Sequence, residues 1–411
     1  MTTHVVGAGL AGLSAAVALA SGGEAVQVWE AAAQAGGRCR SYFDPQLELT
    51  IDNGNHLVLS GNRTVMDYLA AIGATDKLIG PDTAQFDFFD VASGERWRLE
   101  PNEGPLAWWV LSPDRRVPGT HARDYLSLLN LLHRSPGKRV DQVIACKGPL
   151  WDRLIQPFLL AALNTEPEAG SADLAGAIVR ETLARGGRAY RPRIAHPTLA
   201  GAFVEPAMAL LETAGARMHL GRRLRRLGLE GRRAVSLDFA DRVIELGEGD
   251  CVILAVPPWV ARELVPDLTA PDSFRAIVNA HYRLAPPPDA LSMVGLIDGV
   301  AEWVFAFPDR LSVTVSSADH LVDWDRETLA QRLWQDVAAT HELTCDMPPW
   351  QIVKEKRATF AATPEQDAKR PDARTQWSNL VLAGDWTQTG LPATIEGALR
   401  SGVTAARLAR G

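Results

Sequence analysis

The chain opens on a short apolar run, Thr3-His4-Val5-Val6, cut off by Gly7-Ala8-Gly9-Leu10-Ala11-Gly12. A run so brief, with β-branched residues and a glycine boundary, predicts a buried strand, and Leu13 to Ala20 continues as an alanine-rich helix. Val26-Gln27-Val28-Trp29-Glu30 predicts the second strand. Val65, Tyr68, Leu69 and Ile72 recur at helical spacing up to Gly73. Phe86 to Asp90 then alternates as a strand, with Glu95 to Leu99 as its hairpin partner. From Leu106 to Arg185 the pattern becomes helical, over 123–133, 140–145, 151–163 and 172–184. Strands return at 217–220, 234–239, 242–246 and 250–256, the last a buried run ended by Pro257-Pro258, and again at 291–296, 303–307 and 311–315. Leu329, Leu333, Val337 and Ala338 share one face of a helix over 326–341. Near the end, Leu380-Val381-Leu382-Ala383 is an apolar strand entering Gly384-Asp385, and a helix runs on to Leu408. The alternation predicts an α/β protein.

Strand, glycine turn and helix in that order make a dinucleotide site. Gly7 permits the turn, Gly9 lets a pyrophosphate approach the backbone, and Gly12 lets the helix pack against the strand. The amides of Leu10 and Ala11 and the positive helix end then face the phosphates. Glu30, eighteen residues after Gly12, sits where a carboxylate takes two ribose hydroxyls. Behind it, Gly36-Gly37-Arg38 is a loop whose amides and guanidinium can meet a phosphate. Asp52-Asn53-Gly54-Asn55-His56 is a strand entering a polar turn able to lie against a cofactor ring. There His56 reads either as a structural histidine or as a member of the reaction chamber. Asp385 can accept a ribityl or pyrophosphate-side hydroxyl, or cap its strand. The amides near Ala393, Thr394 and Ile395 can stabilise negative charge on a reduced flavin ring.

Composition excludes more than it assigns. With 46% hydrophobic and 22% charged residues over 411 positions the chain is globular, with room for more than one core. A net charge of −7 argues against nucleic acid as a partner. Arg222, Arg223, Arg225, Arg226, Arg232 and Arg233 form the densest basic run and read as a solvated hairpin face rather than a phosphate or lipid-headgroup site. Cys39, Cys146, Cys251 and Cys345 show neither metal-ligand nor disulfide spacing, so no metal is expected and a reducing cytoplasm fits. No signal segment precedes the first strand, and no apolar run is long enough to span a bilayer. Trp108-Trp109-Val110-Leu111 and the crowded Leu126, Leu128, Leu129, Leu131 and Leu132 read as buried core. A peripheral contact on the inner face of the membrane, or the mouth of an apolar substrate tunnel, is the alternative.

Gly7 to Gly12, Gly36-Gly37-Arg38, the Pro258-terminated strand and Ala383-Gly384-Asp385 together resemble the flavin-containing amine oxidase and carotenoid desaturase superfamily. Asp52 to Leu57, Ala162-Leu163-Asn164-Thr165, Glu355-Lys356-Arg357-Ala358-Thr359-Phe360 and Asp385 to Gly397 are similar to its squalene-associated branch, the hydroxysqualene dehydroxylases. Asn55 stands where that branch is expected to carry glutamine. The resemblance implies a glutathione-reductase-like, Rossmann-type FAD-binding domain with an interrupted α+β substrate domain. The FAD-binding pieces would be 1–80, 195–270 and 351–411, and the substrate pieces 81–194 and 271–350. It also implies noncovalent FAD held by Gly7, Gly9, Leu10, Ala11, Gly12, Glu30, Gly37, Arg38, Asn53, Gly54, Leu224, Gly384, Asp385, Ala393, Thr394 and Ile395. The implied reaction replaces the hydroxyl of hydroxysqualene, an apolar isoprenoid, by hydride to give squalene in hopanoid biosynthesis. An allylic hydroxyl leaves poorly, so a positioned acid is required. His56 ranks first for that task and Glu396 second. Lys356 or Arg357 would hold water or oxygen, with a structural pairing an equal reading for Arg357. The sequence names no electron donor. Two further readings stay open: an oxidative carotenoid desaturase or amine oxidase, and a non-enzymatic binder of lipidated proteins on the GDP-dissociation-inhibitor fold.

Overall fold

Five short strands with almost no exposed side chains make the centre of a computed structural model that describes all 411 residues. They form a parallel sheet in the order 217–219, 25–29, 2–6, 251–254, 380–382. Strand Cys251–Leu254 is buried at every position, as a parallel sheet covered on both faces requires. Helices Leu10–Ser21, Glu205–Thr213 and Ile395–Ala409 share one apolar cluster with it. Gly7 adopts a φ of +106°, and a Cβ there would lie 2.3 Å from the Ala255 carbonyl oxygen. At Gly12 a Cβ would lie 1.9 Å from the Gly7 carbonyl oxygen, so the first helix meets its strand without an intervening side chain.

The second layer is a seven-stranded mixed sheet in the order 350–360, 274–282, 310–315, 303–307, 293–297, 86–90, 96–99. One face packs on helix Arg326–His341 through Val278, Ala280, Val313 and Leu333. The other carries Phe88, Trp303, Phe305, Phe307 and Phe360 and is covered by Trp109, Tyr125, Leu159 and Leu163 of the intervening segment. Strand Trp350–Phe360 is an edge of this sheet, so the boundary expected at 350/351 falls at the beginning of that strand, and the chain returns to the parallel sheet only at Leu380–Leu382.

The covering segment is less regular than its hydrophobic spacing implies. Ala122–Leu132 is a 3-10 helix, Val140–Gln142 a single turn of the same kind, and Trp151–Ile155 a π-helical turn leading into the α-helix Gln156–Leu163. Leucines on nearly all sides leave no single stripe around which a 3.6-residue repeat could settle. Asn164 ends the α-helix in a left-handed conformation with φ of 48°.

Candidate active site

The first glycine turn, Glu30 and the Gly-Gly-Arg loop converge. Glu30 accepts hydrogen bonds from the Ala8 amide at 2.7 Å and the Ala32 amide at 2.8 Å, which fixes its carboxylate at the end of the second strand. Leu224, buried at the start of strand Leu224–Glu230, follows closely on Arg222, whose amide bonds the Glu30 carbonyl. Gly9 pairs with Gly36 as an isolated bridge, and Gly37 approaches the Gly9 backbone. Helix Leu10–Ser21 has no side-chain cap, so the first amides, at Leu10, Ala11 and Gly12, are available as donors. A Cβ built on Gly9 would meet nothing within 4 Å. Open space beside Gly9, uncapped amides and a fixed carboxylate are what the ADP portion of FAD needs, so the residues fit the group.

Arg38, expected to meet a phosphate, also ties two distant segments together. It donates to the Ala358 carbonyl at 2.6 Å and pairs with Asp385 at 2.8 Å, tying the Gly-Gly-Arg loop to the edge strand and to the last motif. Asp385 is therefore oriented by a cation, with acceptor capacity left on its carboxylate. Gly384 is fixed from behind by the Ser401 hydroxyl, at 2.8 Å. Thr394 caps helix Ile395–Ala409 through the Gly397 amide, and the Ile395 amide behind Ala393 stays at the positive helix end.

Asn53 to His56 lies against the seven-stranded sheet. Asn53 donates to Glu355 at 3.3 Å, and a Cβ on Gly54 would sit 2.9 Å from the Asn279 amide nitrogen. Asn55 donates to Ser312 at 2.8 Å and Thr314 at 3.1 Å. The shorter Asn thus satisfies this seam where glutamine was expected. His281, fully buried, faces the Asp52 carbonyl at 3.1 Å and Ser312 at 2.9 Å; burial first, and then the Arg310 charge, lower it to about 3. None of this seam except the Asp52 to His56 turn was visible in local sequence. Its partners are single polar residues on inward positions of strands, a signal only in retrospect.

The candidates for the acid fare unequally. Burial, and then the Arg38 charge, lower His56 to about 4, so it is neutral near pH 7. Glu396 accepts from the Thr64 amide at 3.1 Å, the Val65 amide at 2.9 Å and Arg400 at 3.1 Å. Those donors occupy both oxygens, so Glu396 caps helix Arg63–Ala71 instead of offering a proton. Arg357, read equally as a holder of water or oxygen and as a partner of an acid, is exposed and lies over Trp259 at 4.9 Å, an aromatic contact. A residue that sequence reasoning missed has the required property. Glu302, at the turn before strand Trp303–Phe307, is pushed up to about 8, chiefly by burial, against the Ser316 amide that donates to it at 2.7 Å. Trp303, next in the chain, stands on the aromatic face, 5.9 Å from Phe88, which stacks on Trp97 at 5.4 Å.

A family model described as flavin containing amine oxidoreductase matches residues 10–409. The chain belongs to that family. It is 53% identical to a hydroxysqualene dehydroxylase of Rhodopseudomonas palustris over 408 residues, covering 99% of this chain and 98% of the relative. A hydroxysqualene dehydroxylase of Sinorhizobium fredii is 52% identical over 406 residues, with 99% and 97% covered. Among solved structures, cyclohexylamine oxidase from Brevibacterium oxydans superposes with a TM-score of 0.71 at 15% identity over 100% of this chain and 98% of that one. That likeness shows the fold. As a member of the amine oxidoreductase family the protein is an FAD-dependent oxidoreductase with a Rossmann-type FAD-binding domain.

Proposed function

We propose that the protein is a hydroxysqualene dehydroxylase, removing the hydroxyl of hydroxysqualene to give squalene on the route to hopanoids. One observation carries the reading. Hydroxysqualene dehydroxylases from three organisms match the chain at 47–53% identity from end to end, while a probable zeta-carotene desaturase of Synechococcus elongatus shares only 22%.

Reduced FAD, when bound, supplies the hydride. The substrate C–O bond breaks, a C–H bond forms at the same carbon, one proton is taken up by the departing oxygen, and water leaves. This chain's part is to bring the proton. Glu302, whose carboxylate burial disfavours so that it stays protonated at neutral pH, is the proposed source of that proton. Glu30 and the first glycine turn hold the ADP end, Arg38 and Asp385 brace the two loops around the middle, and the Thr394–Ile395 amides sit at a helix end suited to negative charge. The apolar substrate partitions into lipid and has to be collected there.

The deciding assay incubates anaerobically reduced holoenzyme with hydroxysqualene and follows squalene by mass spectrometry. Squalene formation with stoichiometric flavin reoxidation is expected. No product, together with reduction of oxidised flavin by a polyene, would reassign the protein to the desaturases.

A further inference from the structure

We infer that the outer surface of segment 106–139 docks on an anionic lipid surface. The argument begins with two 3-10 helices, Trp108–Leu111 and Ala122–Leu132. In a 3-10 helix residues three apart lie on one side. Trp109 and Tyr125 point inward and meet edge to face at 5.3 Å, so the two helices share an inner side. Their other residues then share an outer one. There Trp108 is 55% exposed, Leu111 71%, Leu126 62% and Leu129 52%, with Leu106 at 79% just before them. The spacing of Trp108 to Leu111 and of Leu126 to Leu129 is three in both cases, which gives two outward apolar ridges from adjacent turns. Single exposed leucines need no explanation, but a cluster of five within one segment marks a contact surface.

Charge selects the occupant. Between 106 and 139 there are six cations, Arg115, Arg116, Arg123, Arg134, Lys138 and Arg139, against two acids, Asp114 and Asp124, in a chain whose net charge is −7. Asp173 partners Arg134, Asp141 partners Arg139 and Asp124 lies 3.9 Å from Arg123, whose side chain is nevertheless 81% exposed, while Arg115 lies over the Trp108 ring at 5.0 Å and Lys138 is exposed. Leucine tips with an interfacial tryptophan and flanking cations are the composition of a segment that rests in the headgroup layer of an anionic bilayer. The helices are too short to go deeper, and no helix of the protein is long and apolar enough to cross a membrane. A neighbouring cleft of about 860 Å³ is bordered by Leu106, Trp108 and Arg115 and also carries the acids Glu100 and Glu103, which do not favour an anionic headgroup. The membrane contact therefore rests on the ridges and not on the cleft.

The test is co-sedimentation of FAD-loaded protein with vesicles of phosphatidylcholine alone and with 30% phosphatidylglycerol, which gives a readout separate from the reaction assigned above. Binding to the anionic vesicles, weakened by 0.5 M salt, is expected. Leu126→Ser/Leu129→Ser should lower it at least ~10-fold, and Arg123→Gln/Lys138→Gln should erase most of the preference for anionic lipid. Unchanged flavin absorbance and unfolding temperature establish that these variants are folded, and Trp108→Ser serves if the double leucine variant is not. Equal binding to both vesicles, or undiminished binding by the folded variants, overturns the inference. Concentration-dependent dimerisation abolished by the same substitutions also overturns it, because a second copy would then be the occupant.

Discussion

Replacing Glu302 by glutamine isolates the proton from the shape. Glutamine matches the protonated carboxyl in size and can still accept from the Ser316 amide, but it has no proton to give. With its ionisation moved from 4.5 to about 8, Glu302 is roughly nine-tenths protonated at pH 7. Turnover of the wild type should be level below that value and fall about tenfold per pH unit above it, provided the acid is kinetically expressed. Glu302→Gln should lose a factor on the order of 10² or more at pH 7, while His56→Ala, removing an imidazole already neutral there, should stay within about tenfold. Stability supplies an independent check with a definite sign. The folded state binds more protons than the unfolded one between pH 4.5 and about 8, so the wild type loses stability as pH rises through that window. Discounted for water reaching the carboxyl, the loss is on the order of 3 kcal/mol. Denaturant unfolding of the glutamine variant should lack it, so its advantage over wild type grows with pH. Wild-type turnover in a folded, flavin-loaded Glu302→Gln would remove the residue from the reaction. Parallel stability curves would show that burial does not shift it.

The two glycines of the first turn should part company. A Cβ at Gly9 meets nothing, so Gly9→Ala should fold with a wild-type unfolding temperature yet bind FAD at least ~10-fold more weakly in a fluorescence titration; Gly12→Ala, with its clash against Gly7, should lower the unfolding temperature itself. Glu396→Gln should cost about 1–3 kcal/mol in denaturant unfolding, since it weakens the bonds to Thr64, Val65 and Arg400, while turnover per folded, flavin-loaded molecule is retained.

What was legible in sequence is what repeats locally. The strand, turn and helix at residues 2–21 follow from sterics within a few residues, and so does the Ala383-Gly384-Asp385 strand end. The distribution of duties among charged groups was not legible, because it depends on partners hundreds of residues away. Arg38 meets Asp385 across 347 positions, and Glu396 meets Val65 across 331. Glu302 carried no signal at all, since an isolated glutamate before a strand reads as a turn residue until the apolar surroundings that hold its proton are assembled. The helical segment failed for a different reason. Its apolar residues are dense enough to fit several periods, and the outward leucines of the 3-10 turns became distinguishable from core only once Tyr125 and Leu131 had taken the inside.

The seam between the Asp52 to His56 turn and the seven-stranded sheet explains why that turn is a motif although its side chains need not perform the chemistry. Asp52 is almost fully buried and accepts from Ser41 at 2.5 Å and the Leu199 amide at 2.9 Å, with Arg310 beside it at 3.7 Å. Burial raises its pKa, opposed by Ser41, Leu199 and Arg310 in that order. Arg310, itself 3% exposed, lies 4.0 Å over the Phe307 ring and leaves Nε and Nη2 without hydrogen-bond partners. A loosely paired ion pair of this kind contributes little to stability, since its desolvation offsets its attraction. Its value is directional. Apolar contact alone tolerates sliding, whereas Asn55 to Ser312 and Thr314, His281 to Asp52, and the Asn55 amide to Asn279 are satisfied together in one register. Glu302 rides on the seven-stranded sheet and the Asp52 to His56 turn on the hairpin 41–52 that follows the Gly-Gly-Arg loop, so on the proposed reaction this register would set how the proton-donor side meets the cofactor side. If the reaction runs as proposed, a shift of even 1 Å across it would separate the two groups that act on one carbon–oxygen bond.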